Sequence, residues 1–182
     1  HHLAVAGQTS ASGGKVSNCL IHPSVRQNVH SRFAADFEKE LSWCLDNLHD
    51  AFKEALEKEY ASLKPEKSVK VSFNSLFAEA EKMLLNNSVK ILIMNGKNEV
   101  SSEEYACGYN IIVGGNTLGR GVTFPGLHTI YYTRTSKKPQ ADTMWQHSRM
   151  FGYDRDPGLM KVFIDEPLYK LFADINATNN SI

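Results

Sequence analysis

The chain has 182 residues and a mass of 20.4 kDa, with 42% apolar and 22% charged residues, enough for one α/β domain or two small ones. Twenty Lys and Arg against twenty Asp and Glu cancel to zero, which excludes a globally basic coat or an acidic tail and leaves any polyanion contact to local patches. Cys19, Cys44 and Cys107 form no C-x-x-C pair, which argues against a disulfide framework or a Cys-rich zinc site and for a reducing, cytoplasmic setting.

Taken in chain order, residues 1–17 read as a flexible lead-in or the remnant of a tag. Gln8 to Ser17 is small and polar without a hydrophobic period, and His1-His2 opens the chain where a methionine would start a complete one. The expectation is a piece of a longer protein, ordered from about residue 18 to 182 as one domain. Cys19-Leu20-Ile21 predicts a buried strand ended by His22-Pro23. Ser24 with Gln27 forms a capping-box pattern, and Val25, Val29, Phe33, Phe37, Leu41, Leu45, Leu48, Phe52 and Leu56 recur every three or four positions. This helical segment, 25–64, would run about 58 Å unbroken at ~1.5 Å per residue, so a break near Asp46-Asn47 is expected, with Pro65 closing it.

A second helix fits Ser75 to Leu85, followed by strands at Val89 to Met94, Asn110 to Val113 and His128 to Thr133. A helix around Asp142 to Phe151, a strand Met160 to Ile164 and a helix Pro167 to Asn176 complete the pattern. Short strands apolar on both faces, alternating with helices, predict a three-layer α/β fold with a mostly parallel sheet and an added long helical segment. No apolar run approaches the ~18–20 residues that would cross a bilayer, so no membrane partner is expected.

In a parallel sheet the loops at the carboxyl ends of strands line the ligand crevice, which draws attention to Gly114-Gly115-Asn116-Thr117. Gly119-Arg120-Gly121 sets a guanidinium between two residues without side chains, an arrangement suited to an oxyanion and equally to a tight turn with a solvated arginine. Gln146, Ser148 and Arg149 fall within one helical turn, and Arg155 follows Gly152-Tyr153. Arginine can bridge phosphate oxygens, or Arg149 can pair with Asp142, Asp154 or Asp156.

These stretches resemble the second RecA-like lobe of superfamily 2 helicases, and more closely the Z-one domain of restriction-associated helicase-like ATPases, from about Asn18 to Asn176. Leu20-Ile21-His22-Pro23-Ser24, with the later His30, is similar to the HxS strand end that opens that lobe. Gly114 to Leu127 is similar to its GGxxLxRGxTxxGL element, Tyr131 to Arg134 to a strand ending in arginine, and Asp142 to Arg155 to its DTxxQxxRxFGYR element. This chain departs from it at Ser148, where Gly or Ala is usual, and at FGYDR, where Asp154 is inserted before Arg155.

The resemblance implies a RecA-like lobe of a DNA-dependent NTPase in a bacterial restriction or defence system. Arg149 and Arg155 would be catalytic arginine fingers, and Gln146, Gly119, Arg120 and Gly121 nucleotide-side residues. His22, Ser24, Gly115, Asn116 and Thr117 would be contacts to the DNA backbone, with Lys137-Lys138 as an accessory patch. The implied partners are an N-terminal RecA-like lobe of the same chain, DNA and a restriction nuclease subunit. The implied cofactors are ATP and Mg²⁺ in the full-length protein, with none bound by this fragment alone. The other expectation carried forward is a non-hydrolytic docking or DNA-binding module of a restriction nuclease complex.

What is missing narrows this further. Gly14-Lys15 and Gly96-Lys97 lack both the first glycine and the Ser/Thr of a P-loop, so the fragment alone should not hydrolyse ATP. Asp165-Glu166 follows an apolar strand but stands after the arginine element, where no Mg²⁺-binding pair belongs. No acidic residue stands two positions before a lysine, which removes the [DE]-x-K nuclease pattern, and no metal site is expected from His49, His128 or His147.

Overall fold

A computed structural model of the chain describes residues 1–24, 26–95, 100–115, 122–133 and 155–179. In chain order these form α1 (His2–Ala11), β1 (Val16–His22), α2 (Gln27–Asp46), α3 (Ala51–Ser62), α4 (Phe73–Leu85) and β2 (Val89–Met94). There follow a short α5 (Ser102–Tyr105), β3 (Gly108–Gly114), β4 (Leu127–Tyr132), β5 (Lys161–Ile164) and α6 (Glu166–Asn179). The five strands make one sheet in the order β2-β3-β1-β4-β5, with every pairing parallel.

Alternation along β1 sorts the core into two layers of cover. Cys19 and Ile21, with Ile111 and Val113 of β3, meet Ala6 of α1, Phe33 and Phe37 of α2 and Met83 of α4. On the other face Leu20, Ile112, Ile130 and Tyr132 meet Tyr105 of α5 and Leu168 and Phe172 of α6. A strand covered on both faces has no polar side to show, which is why Cys19-Leu20-Ile21 and Ile111-Ile112-Val113 read as unbroken apolar runs. The result is the three-layer α/β architecture expected, consistent with a RecA-like fold.

The helical segment breaks where its length demanded: α2 ends at Asp46 and α3 begins at Ala51. The hairpin lets Phe52 and Leu56 fold back onto Ala4 and Val5 of α1 and Leu76 and Ala80 of α4, forming a further core outside the sheet. The expected helix Asp142 to Phe151 lies outside the described residues.

The flexible lead-in over residues 1–17 is corrected by the structure. Residues 2–11 are α1, and Ala4, Val5, Ala6 and Gln8 are fully buried. Small residues here serve close packing. A Cβ at Gly7 would stand 2.7 Å from the carbonyl oxygen of Leu76, so α1 and α4 touch almost backbone to backbone. The polar Gln8 is satisfied at long range: its Nε2 donates to the Val69 carbonyl at 2.8 Å and its Oε1 accepts from the Val71 N–H at 3.1 Å. Only a short turn, with Gly13 at φ +87°, separates α1 from β1.

A second buried polar pair fixes the amino ends of the central strands. Asn110 Nδ2 donates to Asn18 Oδ1 at 2.8 Å, and Asn18 Nδ2 donates to the carbonyls of Tyr105 at 2.9 Å and Pro125 at 2.7 Å. Both side chains are wholly buried, so slipping the register by one residue would strand these groups without partners.

Two measurements check this account of α1. Gln8→Leu removes the partner of the Val69 carbonyl and of the Val71 N–H and should cost about 1–2 kcal/mol by urea denaturation. His2, buried at 8% exposure, has its pKa pushed down by burial to about 3. As pH falls below about 6.5 the unfolded chain takes up this proton before the folded one does, so stability present near neutrality is lost downward from about pH 6.5. His2 should account for about 2 kcal/mol of the loss between pH 7 and pH 5, and His2→Phe should flatten that part of the profile.

Candidate functional site

Because all five strands run the same way, their carboxyl ends share one edge of the sheet. β1 and β3 are neighbours there, with Ile21 paired to Val113 near their carboxyl ends. After β1 the chain passes into α2, which packs Phe33 and Phe37 on one face. Phe124, just before the amino end of β4, belongs to the core of the other face. The carboxyl edge is the place where α/β sheets bind ligands.

His22, Ser24 and Gly115 stand at this edge. His22 is the last residue of β1, fully buried, with its ring edge-on to Tyr132 at 5.0 Å between centroids. Ser24 follows Pro23, and its Oγ accepts from the Arg26 N–H at 3.2 Å. This shapes the entry to α2 in place of the capping box expected with Gln27, because the helix takes Arg26 as its cap residue.

His30, on the first turns of α2, ties the edge together. Its ring is 1% exposed, and its Nε2 lies 2.7 Å from the Ser24 carbonyl oxygen. A carbonyl can only accept, so Nε2 carries the proton and Nδ1 presents a lone pair in the neutral ring. Nδ1 is buried and has no hydrogen-bond partner among the described residues. Gly115 completes the contact. A Cβ there would lie 3.1 Å from His30 Cε1 and 3.3 Å from both His30 Nε2 and the Ser24 carbonyl oxygen. The glycine is therefore what lets the β1 loop, the start of α2 and the β3 loop meet.

Sequence reasoning placed His22, Ser24 and Gly115 at this edge and the structure brings them together. It treated His30 only as part of a resembling pattern and missed its bridging position. The signal was present in the spacing, since a histidine one helical turn into a helix that starts at a strand end can reach back to the loop.

Arg155 is placed elsewhere. It is partly buried and belongs to the segment that enters β5 at its amino end, whereas the other residues follow the carboxyl ends of β1 and β3. The next residue, Asp156, anchors this segment. Its carboxylate accepts from the Glu66 N–H at 2.9 and 3.1 Å, the Lys67 N–H at 2.9 Å and the Gly158 N–H at 3.1 Å. Asp156 is thus bonded to backbone and is 6% exposed.

Arg149, Gln146, Asn116, Thr117, Gly119, Arg120, Gly121 and Lys137-Lys138 lie outside the described residues. Asp165-Glu166 does follow β5, but Glu166 opens α6 and pairs with Lys170 at 2.8 Å on an exposed helix face. Among the described residues no group of His, Cys, Asp and Glu could hold a metal ion, and no helix is long and apolar enough to cross a membrane. His49 meets Glu81 at 3.4 Å and His128 Nδ1 approaches the Gly126 carbonyl at 3.1 Å, both local contacts.

A parallel sheet covered on both faces, with His22, Ser24, His30 and Gly115 gathered at its carboxyl edge, is an α/β architecture consistent with a RecA-like fold. The chain belongs to the Z1 domain family, whose model matches residues 2–182. No curated protein and no solved structure matches it.

The close fit at Gly115 sets a test. Gly115→Val should drive the β3 loop away from His30 and Ser24 and lower stability by about 1–3 kcal/mol, as overpacking does. The His30 ring resonances in an NMR spectrum should shift, while those of the distant Asn18 and Asn110 side chains stay in place.

Proposed function

We propose that this Z1 domain is the lobe lacking a P-loop in a DNA-dependent ATPase, a helicase or translocase of a bacterial restriction or defence system. The observation that carries this reading is the carboxyl edge of the sheet, where Ser24, His30 and Gly115 meet beside His22 at the amino end of a long helix. Backbone N–H groups and a bare glycine at such a point suit the phosphates of a DNA strand and supply no means of reading bases. Asn116 and Thr117 continue the same loop and would add to these contacts.

The sequence carries no P-loop, so ATP and Mg²⁺ would be held by another lobe of the full-length protein. This lobe would then contribute Arg149 to the γ-phosphate, with Arg155 assisting, and Gln146 and Gly119 to Gly121 would link nucleotide to DNA.

In the full-length protein Arg149→Ala should lower DNA-stimulated ATP turnover by ~10³–10⁵ while leaving DNA binding intact. Ser24→Ala with Asn116→Ala should do the reverse, weakening single-stranded DNA binding and its salt dependence while basal turnover stays. Near-normal turnover in Arg149→Ala removes the motor reading. A full-length protein that binds DNA yet hydrolyses no ATP leaves a docking or DNA-binding module.

A further inference from the structure

Of the arginines assigned above to the nucleotide side, Arg155 is the one within the described residues. A guanidinium at the end of a long side chain is placed only as well as the backbone that carries it. In a reacting site a misplacement of ~1 Å can cost about 10²-fold in rate, so whatever fixes the backbone beside such a group bears on turnover.

Beside Arg155 that task falls to Asp156. Its Oδ1 accepts from the Glu66 N–H at 2.9 Å and the Gly158 N–H at 3.1 Å, and its Oδ2 from the Lys67 N–H at 2.9 Å and, again, the Glu66 N–H at 3.1 Å. The Gly158 bond caps the short 3-10 turn Pro157–Leu159, a task one oxygen performs. Glu66 and Lys67 lie 90 and 89 positions earlier in the chain, so the remaining bonds are tertiary. Such bonds from N–H groups to an ionised carboxylate are roughly twice as strong as neutral ones. The same stretch is held at two more points: the Gly158 carbonyl accepts from the Lys64 N–H at 3.0 Å, and Lys161 Nζ donates to Glu59 at 2.9 and 3.0 Å.

We propose that Asp156 is a positioning residue for Arg155: its carboxylate ties the backbone next to the guanidinium to the connection between α3 and α4, and ATP turnover depends on that tie through Arg155. The inference rests on the reading of Arg155 as an arginine of the ATPase site and adds a residue that touches neither nucleotide nor DNA. Gly158 belongs to the same device, because a Cβ there would collide with the Lys64 carbonyl and push the two stretches apart. The connection between α3 and α4, remote in sequence from every residue assigned to a ligand, is thereby part of the arginine's mounting.

The experiment is a double-mutant cycle on DNA-stimulated ATP turnover in the full-length protein. Asp156→Ala should lower kcat about tenfold with KM for ATP within about twofold, and Asp156→Asn, which keeps one acceptor oxygen, about threefold. Gly158→Ala should act in the same direction. Affinity for single-stranded DNA should stay within about twofold in all three, because its contacts are assigned to the other edge of the sheet, whereas general loss of structure lowers both. In an Arg155→Ala background Asp156→Ala should cost less than about twofold more, since residues that act through one group are not additive. A full further tenfold loss in that background overturns the inference and leaves Arg155 in its role. Normal turnover in Asp156→Ala also overturns it, as does a parallel loss of DNA affinity in Asp156→Asn. Normal turnover in Arg155→Ala removes Arg155 from the ATPase site and the inference with it.

Discussion

Cover of a strand that water must not reach organises this molecule. β1 is paired on both edges, by β3 and β4, and buried on both faces, so its backbone and its apolar side chains all need partners from other elements. One face is met by α1, α2 and α4 and the other by α5 and α6, which fixes three layers. The carboxyl ends of β1 and β3 then lie side by side at one edge of the sheet, where Ser24, His30 and Gly115 meet. The site is in that sense a by-product of the topology, sharpened by Gly115 and by the His30 bond to the Ser24 carbonyl.

Much of this could be read from the sequence. Unbroken runs such as Val89 to Met94 and Ile111 to Val113 announce strands buried on both sides, and the length of the 25–64 segment forces a break that falls at Asp46. The strand-end residues His22, Ser24 and Gly115 could be placed because a parallel sheet gathers its carboxyl ends. α1 could not. Its apolar face is built from Ala4, Val5 and Ala6, its close contact depends on a glycine, and its polar Gln8 finds partners more than sixty positions away. Local pattern carries no trace of those bonds, so a core helix reads as a solvated lead-in. The Asn18–Asn110 pair escaped for the same reason, being polar residues within strands whose partners are remote in sequence.

Position His30 shows an intermediate case. The residue was visible as part of a resembling pattern, but its role depends on where α2 begins, and Arg26 rather than Ser24 takes the cap. Two positions of difference in where the helix starts decide whether the ring faces solvent or reaches the Ser24 carbonyl and Gly115.

The anchoring of Asp156 has a mechanical consequence. Three hydrogen bonds join Asp156, the residue after Arg155, to the connection between α3 and α4, and a Cβ on Gly158 would collide with the Lys64 carbonyl, so the two strips of chain are seated flush. Seated in that way they translate together. Any force that tilts the α2–α3 hairpin is delivered, through a rigid coupling only a few bonds long, to the guanidinium-bearing stretch that leads into β5.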